Sequence, residues 1–435
     1  MNESKLIIVS NRLPVKIQEI DGSVSVEQSS GGLITAITGF IEYQKKEEET
    51  LWIGYPDCEE SLWEKGGVQM DNSRYKYVPV YLPDEQYNGY YNGFSNSTIW
   101  PLFHYFPSFA EYIPNDFDHY KAVNQTFCDI LCSHVKPGDT VWLHDYHLML
   151  LPEMLREKLG SEVAIGFFLH IPFPSFEIFR LLPADWRESL LKGILGADLV
   201  GFHTKDYAAY FSHSVQKILG ITLENNLFKN ENHISRVDYY PISIDFNKFN
   251  SSFSEKHVTE LREHMRENLG NKQVIFSVDR LDYTKGISNR LVAYRLFLSE
   301  NPNYLERVVF VLNVVPSRDE IFKYSERKKM IDEYVGNLNS DFGNINWQPV
   351  VYQYRNLDFD NLLAFYTLCD LALITPVRDG MNLVAKEFVA SRKDEKGVLI
   401  LSEMAGSAIE LNDALLINPT DIRHSASQIK AGLEM

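Results

Sequence analysis

Two basic residues, Arg280 and Lys285, lie beside a glycine in the segment DRLDYTKG (279–286). The apolar run Val274–Val278 predicts a buried strand before them, so both cations are expected in the loop that follows that strand. Cations in such a loop neutralise a diphosphate and stabilise the negative charge of a leaving group. Salt bridges to nearby carboxylates are the alternative interpretation. The segment is neither a Walker A loop nor a GxGxxG fingerprint, which disfavours NTP hydrolysis and dinucleotide binding.

A strand, a tight turn and a helix are predicted in that order near the C-terminus, and together they make an anion site. The run Leu371–Ile374 predicts the strand and Leu383–Ala390 predicts the helix, with Gly380 in the turn between them. Backbone N–H groups point outward at a helix N-terminus, where the helix dipole favours negative charge. Glu387 falls eight residues after Asp379, on the helix, where its carboxylate can accept hydrogen bonds from hydroxyl groups. Phosphate donors followed by a carboxylate suit a nucleotide-sugar.

Other cations and glycines also follow apolar runs. Arg12 follows the run Leu6–Ser10, and a glycine pair ending at Gly32 opens a predicted helix after a hairpin or mobile loop at Val15–Gln28. Arg318 follows a further predicted strand and is a third candidate cation. Such positions suit a phosphate or a sugar, while surface charge and ordinary turn glycines are the alternative interpretation.

Aromatic residues are interleaved with small polar residues in the segment YYNGFSN (90–96), which contains Tyr91, and Trp100 follows it. Such residues can stack on a sugar ring and hydrogen-bond to its hydroxyl groups. An aromatic stripe that belongs to the hydrophobic core is the alternative interpretation.

A carboxylate and several histidines lie at the ends of two predicted strands. Asp145 follows the run Thr140–Leu143, and His170 ends the next apolar run, before two prolines that fix a turn. At the carboxyl edge of a parallel sheet, Asp145 can accept hydrogen bonds from substrate hydroxyls. His170 is either a ligand contact at the same edge or an ordinary buried histidine. His144 and His147 suggest a metal, but no further His or Cys cluster has a suitable spacing, so no metal is predicted.

The composition is that of a soluble globular protein. The 435 residues exceed one ordinary core, so two domains are expected. The chain is 45% hydrophobic and 23% charged, and its net charge of −17 argues against nucleic acid as a partner. No apolar run reaches the ~20 residues of a membrane span, and the N-terminus lacks a signal peptide. A cytoplasmic protein with no membrane partner is therefore expected.

Strand-like apolar runs alternate with helical patterns along the chain, which indicates an α/β fold of parallel sheets covered by helices. In such sheets, ligands bind at the carboxyl ends of the strands. A proline turn near Tyr240–Asp245 predicts the domain boundary, so the domains are expected at 1–245 and 246–435. The runs that predict strands are Leu6–Ser10, Thr140–Leu143, Ala164–Leu169, Leu199–Phe202, Val274–Val278, Val308–Val314, Leu371–Ile374 and Val398–Leu401.

Taken together, these motifs resemble those of the trehalose-6-phosphate synthases, retaining glycosyltransferases of family 20. The runs that carry the resemblance are HDYH, GFFLHIPFP, RLDYTKG and RDGMNLVAKE, and it covers essentially the whole chain. It implies the GT-B architecture, in which two Rossmann-like domains with parallel sheets face a deep interdomain cleft. It also implies a UDP-forming α,α-trehalose-phosphate synthase, which transfers glucose from UDP-glucose to glucose 6-phosphate without a metal or other cofactor.

The resemblance assigns roles to individual residues. The residues expected to bind the acceptor, all in the N-terminal domain except Arg318, are Arg12, Tyr91, Trp100, Asp145 and Arg318. The residues expected to bind the donor, all in the C-terminal domain except Gly32, are Gly32, Leu362, Asp379, Gly380, Met381, Asn382, Leu383, Val384 and Glu387. Gly32 is expected in a mobile loop over the phosphates and Leu362 at the uracil. The implied mechanism is a front-face attack in which the leaving diphosphate accepts the proton of the acceptor. The residues expected to act in catalysis are Arg280, Lys285, Asp145 and His170.

Two departures from the family pattern leave alternatives open. Tyr55 stands where many members have a second Trp, which puts that acceptor contact in doubt. Members normally continue through a helical tail beyond the position of Met435, so a truncated synthase–phosphatase fusion or an altered domain closure is expected. A homo-oligomer and a fused or associated trehalose-phosphatase are compatible partners. Another phosphorylated acceptor, such as glycerol 3-phosphate, and a non-catalytic regulatory subunit are the alternative functions.

Overall fold

The chain divides into two compact units, Met1–Ile242 (unit 1) and Ser243–Met435 (unit 2), just before the boundary predicted after Asp245. The structure is a computed structural model. It describes residues 4–20, 23–28, 34, 37–41, 50–70, 75–230, 233–317 and 322–435. Each unit is built on a sheet whose central strands are parallel.

Unit 1 contains a large sheet and a separate hairpin. Its strands are β1 Leu6–Arg12, β2 Val15–Ile20, β3 Ser23–Gln28, β4 Thr50–Tyr55, β5 Tyr75–Pro79, β6 Thr140–His144, β7 Ala164–Phe168, β8 Leu199–Phe202, β9 Leu223–Glu224, β10 Leu227–Asn230 and β11 His233–Tyr239. Among the described residues the sheet has the order β5-β4-β1-β6-β7-β8-β11-β10-β9, and β2 pairs with β3 alone. The strands from β5 to β11 in this order run parallel, and β10 and β9 are antiparallel additions at one edge.

The helices of unit 1 cover this sheet. They are α1 Glu60–Met70, α2 Asp84–Tyr87, α3 Trp100–Phe103, α4 Pro114–His134, α5 Leu151–Leu159, α6 Phe176–Phe179, α7 Ala184–Leu195 and α8 Lys205–Leu219. Short 3₁₀ turns lie at Pro107–Phe109 and Tyr146–Leu148, and a π-helix spans Asn88–Ile99. Because π-helices are rare and often occur at functional sites, the last segment is of particular interest.

The π-helix divides the aromatic stripe that the sequence shows at 90–96. Tyr90 and Phe94 are fully buried, and the Phe94 ring lies 4.9 Å from Phe117 and 5.5 Å from Trp186. Tyr91 is only half-buried. The core interpretation of this stripe therefore holds for Tyr90 and Phe94, while the Tyr91 ring stays partly accessible.

Unit 2 is a six-stranded parallel sheet in the described residues. Its strands are β12 Gln273–Arg280, β13 Val308–Val315, β14 Val350–Tyr354, β15 Leu371–Ile374, β16 Val398–Ser402 and β17 Leu415–Ile417, in the sheet order β14-β13-β12-β15-β16-β17. Its helices are α9 Phe246–Ser252, α10 Lys256–Leu269, α11 Ile287–Glu300, α12 Phe322–Phe342, α13 Phe359–Leu368, α14 Leu383–Ser391 and α15 Ile422–Glu434. Short 3₁₀ turns lie at Tyr283–Lys285, Pro302–Tyr304 and Gly406–Ile409.

The predicted α/β class with parallel sheets is confirmed. Every run that predicts a strand forms one, with ends that agree to within two residues. The hairpin at Val15–Gln28 is also confirmed, whereas Gly32 and the start of the helix expected there lie outside the described residues. The patterns did not predict β4, β5, β11, β14 or β17. Within the described ranges, every helix is too short or too polar to cross a membrane.

Candidate active site in two half-sites

Asp145 is held at the carboxyl edge of the unit 1 sheet by an unusual backbone conformation. Its φ of 75° and ψ of 172° are rare for a residue other than glycine, and such strain is typical of functional sites. The Asp145 N–H donates to the Phe168 carbonyl at 2.8 Å, and the Asp145 carboxylate accepts from the His170 N–H at 3.2 Å. These bonds to the end of β7 place the half-buried carboxylate where the sequence predicted it.

Three histidines lie side by side at the ends of neighbouring strands. His144 ends β6, His170 follows β7 and His203 follows β8, with ring centroids 5.2 Å and 5.3 Å apart along the row. Nδ1 of His144 and Nε2 of His170 are 3.0 Å apart, so one ring donates a hydrogen bond to the other. The sequence analysis missed His203, although it follows an apolar run in the same way as His144.

His144 and His170 of this row are neutral near pH 7. Burial lowers the pKa of His144 to about 3. Burial, followed by the neighbouring His144 and His203, lowers the pKa of His170 well below its usual value. In the part of the chain that the structure describes, no group of three or more His, Cys, Asp or Glu side chains could hold a metal ion. His144 and His170 can therefore offer hydrogen bonds to a ligand without adding charge.

Replacing His144 by glutamine is expected to weaken the pH dependence of stability. The unfolded chain protonates this histidine near pH 6.5 and the folded chain only near pH 3, so stability is lost as pH falls through that window. Between pH 6.5 and 5, His144 accounts for about 2 kcal/mol of lost unfolding free energy, at about 1.4 kcal/mol per pH unit. Urea unfolding at pH 7.5 and 5.0 measures this, with tryptophan fluorescence as the probe.

The matched control for this prediction is His213→Gln, which changes an exposed histidine on α8. We expect the control to lose as much unfolding free energy as the unchanged protein between the two pH values, and His144→Gln to lose about 2 kcal/mol less. Equal losses in both variants would contradict the neutral, buried state of His144.

Arg12 and Tyr91, both predicted acceptor residues, are brought together at the end of β1. The Arg12 guanidinium carbon lies 5.1 Å from the centroid of the Tyr91 ring, in cation–π geometry. Nε and Nη2 of Arg12 donate to the Tyr87 hydroxyl at 3.2 Å and 2.9 Å, and Nη1 lies 3.4 Å from Oδ2 of Asp57. The sequence analysis missed Tyr87 and Asp57, because their proximity to Arg12 depends on the packing of distant segments.

A ladder of rings runs along this half-site. Tyr55 stacks on Tyr87 with centroids 4.3 Å apart, Tyr87 on Tyr91 at 5.2 Å, and Tyr91 on His147 at 5.6 Å. All three interplanar angles are 21° or less. Tyr55, which departs from the family pattern, therefore belongs to the ladder as its end member.

The predicted acceptor residue Trp100 does not join this ladder. Trp100 is 6% exposed, and its ring packs 4.1 Å from His104 and 5.7 Å from Tyr146, as the core interpretation expects. Arg318 lies outside the described residues, as Gly32 does. Arg12, Tyr91 and Asp145 are thus the predicted acceptor residues with an accessible place in unit 1.

In unit 2, the two predicted donor motifs meet at one ion pair. Nζ of Lys285 lies 2.5 Å from Oδ2 of Asp379, and both side chains are about 15% exposed or less. Lys285 ends the Tyr283–Lys285 turn after β12, and Asp379 lies in the turn after β15, the neighbouring strand. The salt-bridge interpretation of Lys285 is thus correct as far as it goes. An ammonium group has three N–H donors, however, so this pair does not exhaust its capacity to bind an anion. Arg280, at the end of β12, is exposed.

The approach of these turns depends on a glycine and a buried arginine. Gly286 has a φ of 67°, and a Cβ there would lie 2.5 Å from the Thr375 carbonyl oxygen. The Arg290 guanidinium donates to the Lys285 carbonyl at 3.0 Å and to the Thr375 hydroxyl at 3.1 Å, and it pairs with the Asp279 carboxylate at 2.8 Å. Arg290 therefore ties β12, the Lys285 turn and the end of β15 together. The sequence analysis did not select it.

The turn before α14 is organised by its own side chains. Asn382 has a φ of 70° and caps the helix by accepting from the Ala385 N–H at 3.1 Å. The Asp379 carboxylate accepts from the Asn382 amide at 3.1 Å and from the Met381 N–H at 3.4 Å. These bonds occupy two of the backbone N–H groups near the helix start, so fewer N–H donors remain for an anion than the motif indicates. The remaining predicted residues of this turn are Gly380, Leu383 and Val384.

Glu387 and Leu362 lie on facing helices near this turn. The Tyr366 hydroxyl on α13 donates to Oε2 of Glu387 on α14 at 2.9 Å. Leu362 is one helical turn before Tyr366 on the same face of α13, half-buried against the core of unit 2. Burial raises the pKa of Glu387, and the Tyr366 hydrogen bond opposes that shift. A partly accessible carboxylate beside an apolar side chain can accept hydroxyl hydrogen bonds next to a flat ring.

Comparisons with known proteins agree with this arrangement of motifs. The sequence model of glycosyltransferase family 20 matches residues 4–435. The bifunctional trehalose-6-phosphate synthase/phosphatase of Thermoproteus tenax is 46% identical over 436 residues, which cover 99% of this chain but 59% of that protein. The UDP-forming α,α-trehalose-phosphate synthase of Candida albicans is 40% identical over 441 residues, covering 100% of this chain and 91% of that protein.

A solved structure shares the fold. The crystal structure of a UDP-forming α,α-trehalose-phosphate synthase from Burkholderia xenovorans in complex with glucose 6-phosphate superposes with a TM-score of 0.87. It is 28% identical, and the match covers 100% of this chain and 92% of that one. This similarity in fold agrees with the GT-B architecture that the motifs predicted. Since the family model matches nearly every residue and both relatives exceed 30% identity, the chain belongs to glycosyltransferase family 20.

Proposed function

We propose that this protein transfers glucose from UDP-glucose to glucose 6-phosphate and releases trehalose 6-phosphate and UDP. The observation that carries the proposal is the contact between Lys285 and Asp379, which joins the two predicted donor motifs at the carboxyl ends of adjacent strands. Its family membership and the names of its relatives support the reaction class. The glucose 6-phosphate bound in the Burkholderia xenovorans structure supports the acceptor.

The donor half-site lies in unit 2. Lys285 and Arg280 neutralise the diphosphate, the turn from Asp379 to Val384 holds the glucose, and Glu387 accepts hydrogen bonds from the ribose. Leu362 lines the uracil pocket. No metal or other cofactor is required, because the two cations supply the positive charge that a leaving diphosphate needs.

The acceptor half-site lies in unit 1. Arg12, beside the Tyr91 ring, binds the phosphate of glucose 6-phosphate, and Asp145 accepts hydrogen bonds from the sugar hydroxyls. The backbone N–H of His170 donates to the Asp145 carboxylate, and the neutral ring of His170 contacts the transferred glucose. An arginine suits the phosphate because its planar fork matches phosphate oxygens in two parallel hydrogen bonds.

The reaction proceeds by front-face attack. The acceptor hydroxyl oxygen forms a bond to C1 of glucose while the bond from C1 to the diphosphate oxygen breaks. The acceptor proton passes to the departing diphosphate oxygen, so no protein side chain has to act as the base. Catalysis then consists of positioning two substrates and stabilising leaving-group charge. The proposal also includes a cytoplasmic location.

UDP release from UDP-glucose, with and without glucose 6-phosphate, tests the proposal. We expect rapid UDP release only when glucose 6-phosphate is present, with trehalose 6-phosphate as the second product. Release that ignores glucose 6-phosphate but responds to glycerol 3-phosphate would overturn the acceptor. No release with any phosphorylated acceptor would overturn the catalytic function and favour a regulatory subunit.

A further inference from the structure

We propose that Tyr87 is a positioning residue, which holds the Arg12 guanidinium in the orientation that binds the acceptor phosphate. The inference rests on the proposed function, because it assigns the partner of Arg12 as the phosphate of glucose 6-phosphate. Tyr87 does not belong to any of the motifs that carry the family resemblance, and its place in the half-site comes from the structure alone.

The Tyr87 ring is fixed by its neighbours. Tyr55 stacks on one side at 4.3 Å and Tyr91 stacks at 5.2 Å, with interplanar angles of 21° and 16°. A ring held between two others has little freedom to turn, and stacked pairs add stability beyond the area that they bury. The hydroxyl oxygen of Tyr87 is therefore a fixed point against which another group can be oriented.

That oxygen accepts two hydrogen bonds from one edge of the Arg12 guanidinium. Nε donates at 3.2 Å and Nη2 at 2.9 Å, so the plane of the guanidinium is set by two bonds to one atom. The Arg12 side chain is 44% exposed and would otherwise sample several rotamers. Ordering such a side chain on ligand binding costs free energy, and Tyr87 removes that cost before the ligand arrives.

The opposite part of the guanidinium faces a carboxylate. Nη1 of Arg12 lies 3.4 Å from Oδ2 of Asp57, an exposed residue with a φ of 57°. A phosphate that binds Arg12 meets the negative charge of Asp57 and has to replace or repel it. Tyr87 and Asp57 thus act in opposite directions on phosphate binding, the first by ordering Arg12 and the second by competing for it.

Steady-state kinetics of Tyr87→Phe test the inference. The substitution keeps the stacked ring and removes the oxygen, so we expect the KM for glucose 6-phosphate to rise about 10-fold, as 1.4 kcal/mol predicts. The turnover number and the KM for UDP-glucose should stay within about twofold of the unchanged protein, because uniform binding energy alone is lost. Inorganic phosphate, used as a competitive inhibitor, should weaken by the same factor as glucose 6-phosphate.

Asp57→Asn provides a prediction of opposite sign. Asparagine tolerates a positive φ and keeps the size of the side chain, but it removes the competing charge. We expect the KM for glucose 6-phosphate to fall about two- to fivefold, in line with the small energy of an exposed ion pair. Tyr304→Phe, which removes a tyrosine hydroxyl bonded to Glu434 at 3.3 Å in unit 2, is the matched control and should leave every constant unchanged.

The outcomes separate this inference from the proposed function. If the protein without substitutions shows no UDP release that depends on glucose 6-phosphate, the proposed function is wrong. If that release is present, an unchanged KM for glucose 6-phosphate in Tyr87→Phe overturns the positioning role. A fall in turnover number with an unchanged phosphate inhibition constant overturns it too, since a general structural defect would act in that way.

Discussion

Replacing Lys285 with alanine is expected to lower the turnover number about 100-fold, the usual effect of removing one preorganised donor of a charged transition state. The Lys285 side chain is 15% exposed and paired with Asp379, so its ammonium is already oriented where the donor turns meet. Charge develops on the diphosphate as the glucose leaves, and the enzyme loses its fixed counter-charge when the ammonium is removed. The measurement is the rate of UDP release at saturating concentrations of both substrates.

Arg280→Ala is expected to cause a loss of similar size, about 100-fold, because Arg280 ends β12 directly before the Lys285 turn. The matched control is Lys328→Ala, which removes a lysine of the same unit that pairs with Asp332 on α12 at 2.6 Å. That pair is more than a third exposed, so its loss should leave turnover unchanged. Near-normal turnover in either active-site variant would contradict the diphosphate assignment.

Asp379→Asn distinguishes catalysis from simple loss of the ion pair. This variant breaks the same pair as Lys285→Ala but leaves the ammonium in place. If the pair mattered only for the local fold, both variants would lose the same activity. We expect Lys285→Ala to lower the turnover number. Asp379→Asn keeps the ammonium, so any effect on turnover should come mainly from the altered hydrogen bonds to the Asn382 amide and the Met381 N–H, which organise the donor turn.

The sequence predicted the central strands of both sheets because burial on two faces leaves a continuous apolar run. β12 and β13 are buried along nearly their whole length, and the runs Val274–Val278 and Val308–Val314 are apolar apart from Ser277 and Asn313. The strands β5, β11 and β14 were missed for the opposite reason. Their residues are half-buried or alternate with exposed ones, so polar side chains interrupt the pattern. Apolar runs therefore identify buried strands more readily than half-buried ones, although the buried strand β4 was missed as well.

The sequence indicated candidate residues that directly follow predicted strands. It did not indicate which residues of neighbouring elements would contact them. Asp145, Lys285 and Asp379 were selected as candidates because each follows an apolar run. Tyr87 was missed because it lies 75 positions from Arg12 in the sequence, and their contact depends on which strands are neighbours. Apolar patterns specify which segments form strands and leave the order of those strands in the sheet open. Partners contributed by neighbouring elements were accordingly absent from the prediction.

Arg290 shows the same limitation and has the largest expected effect on stability. Its side chain is fully buried on α11, and its partner Asp279 on β12 is 3% exposed. The guanidinium also donates hydrogen bonds to Ser277, Thr375 and the Lys285 carbonyl. Its side chain has no exposure to solvent. In the sequence Arg290 is one more charged residue of the segment ISNRLVAYRLFLSE.

Replacing Arg290 with methionine is expected to lower the free energy of unfolding of unit 2 by about 3–5 kcal/mol, because Asp279 is left buried without its partner. Hydrogen exchange of the buried β12 amides measures this loss, since they exchange only when the sheet opens. Adding Asp279→Asn to Arg290→Met removes the uncompensated charge and should restore much of the stability. Lys430→Met is the control, because its pair with Glu434 is 3.9 Å long and about half exposed, so a loss of about 1 kcal/mol or less is expected.

The stability that Arg290→Met loses is expected to depend on pH, in a direction that follows from the pKa of Asp279. Burial already raises the pKa of Asp279, and Arg290 opposes that shift. Without Arg290 the pKa rises further above the unfolded value of about 3.9, so the folded chain binds the proton first as the pH falls. The stability lost by the variant should therefore shrink between pH 7 and pH 4. A loss that is constant or grows over this range, or one below about 1 kcal/mol at pH 7, would mean that Asp279 does not depend on Arg290 for its charge.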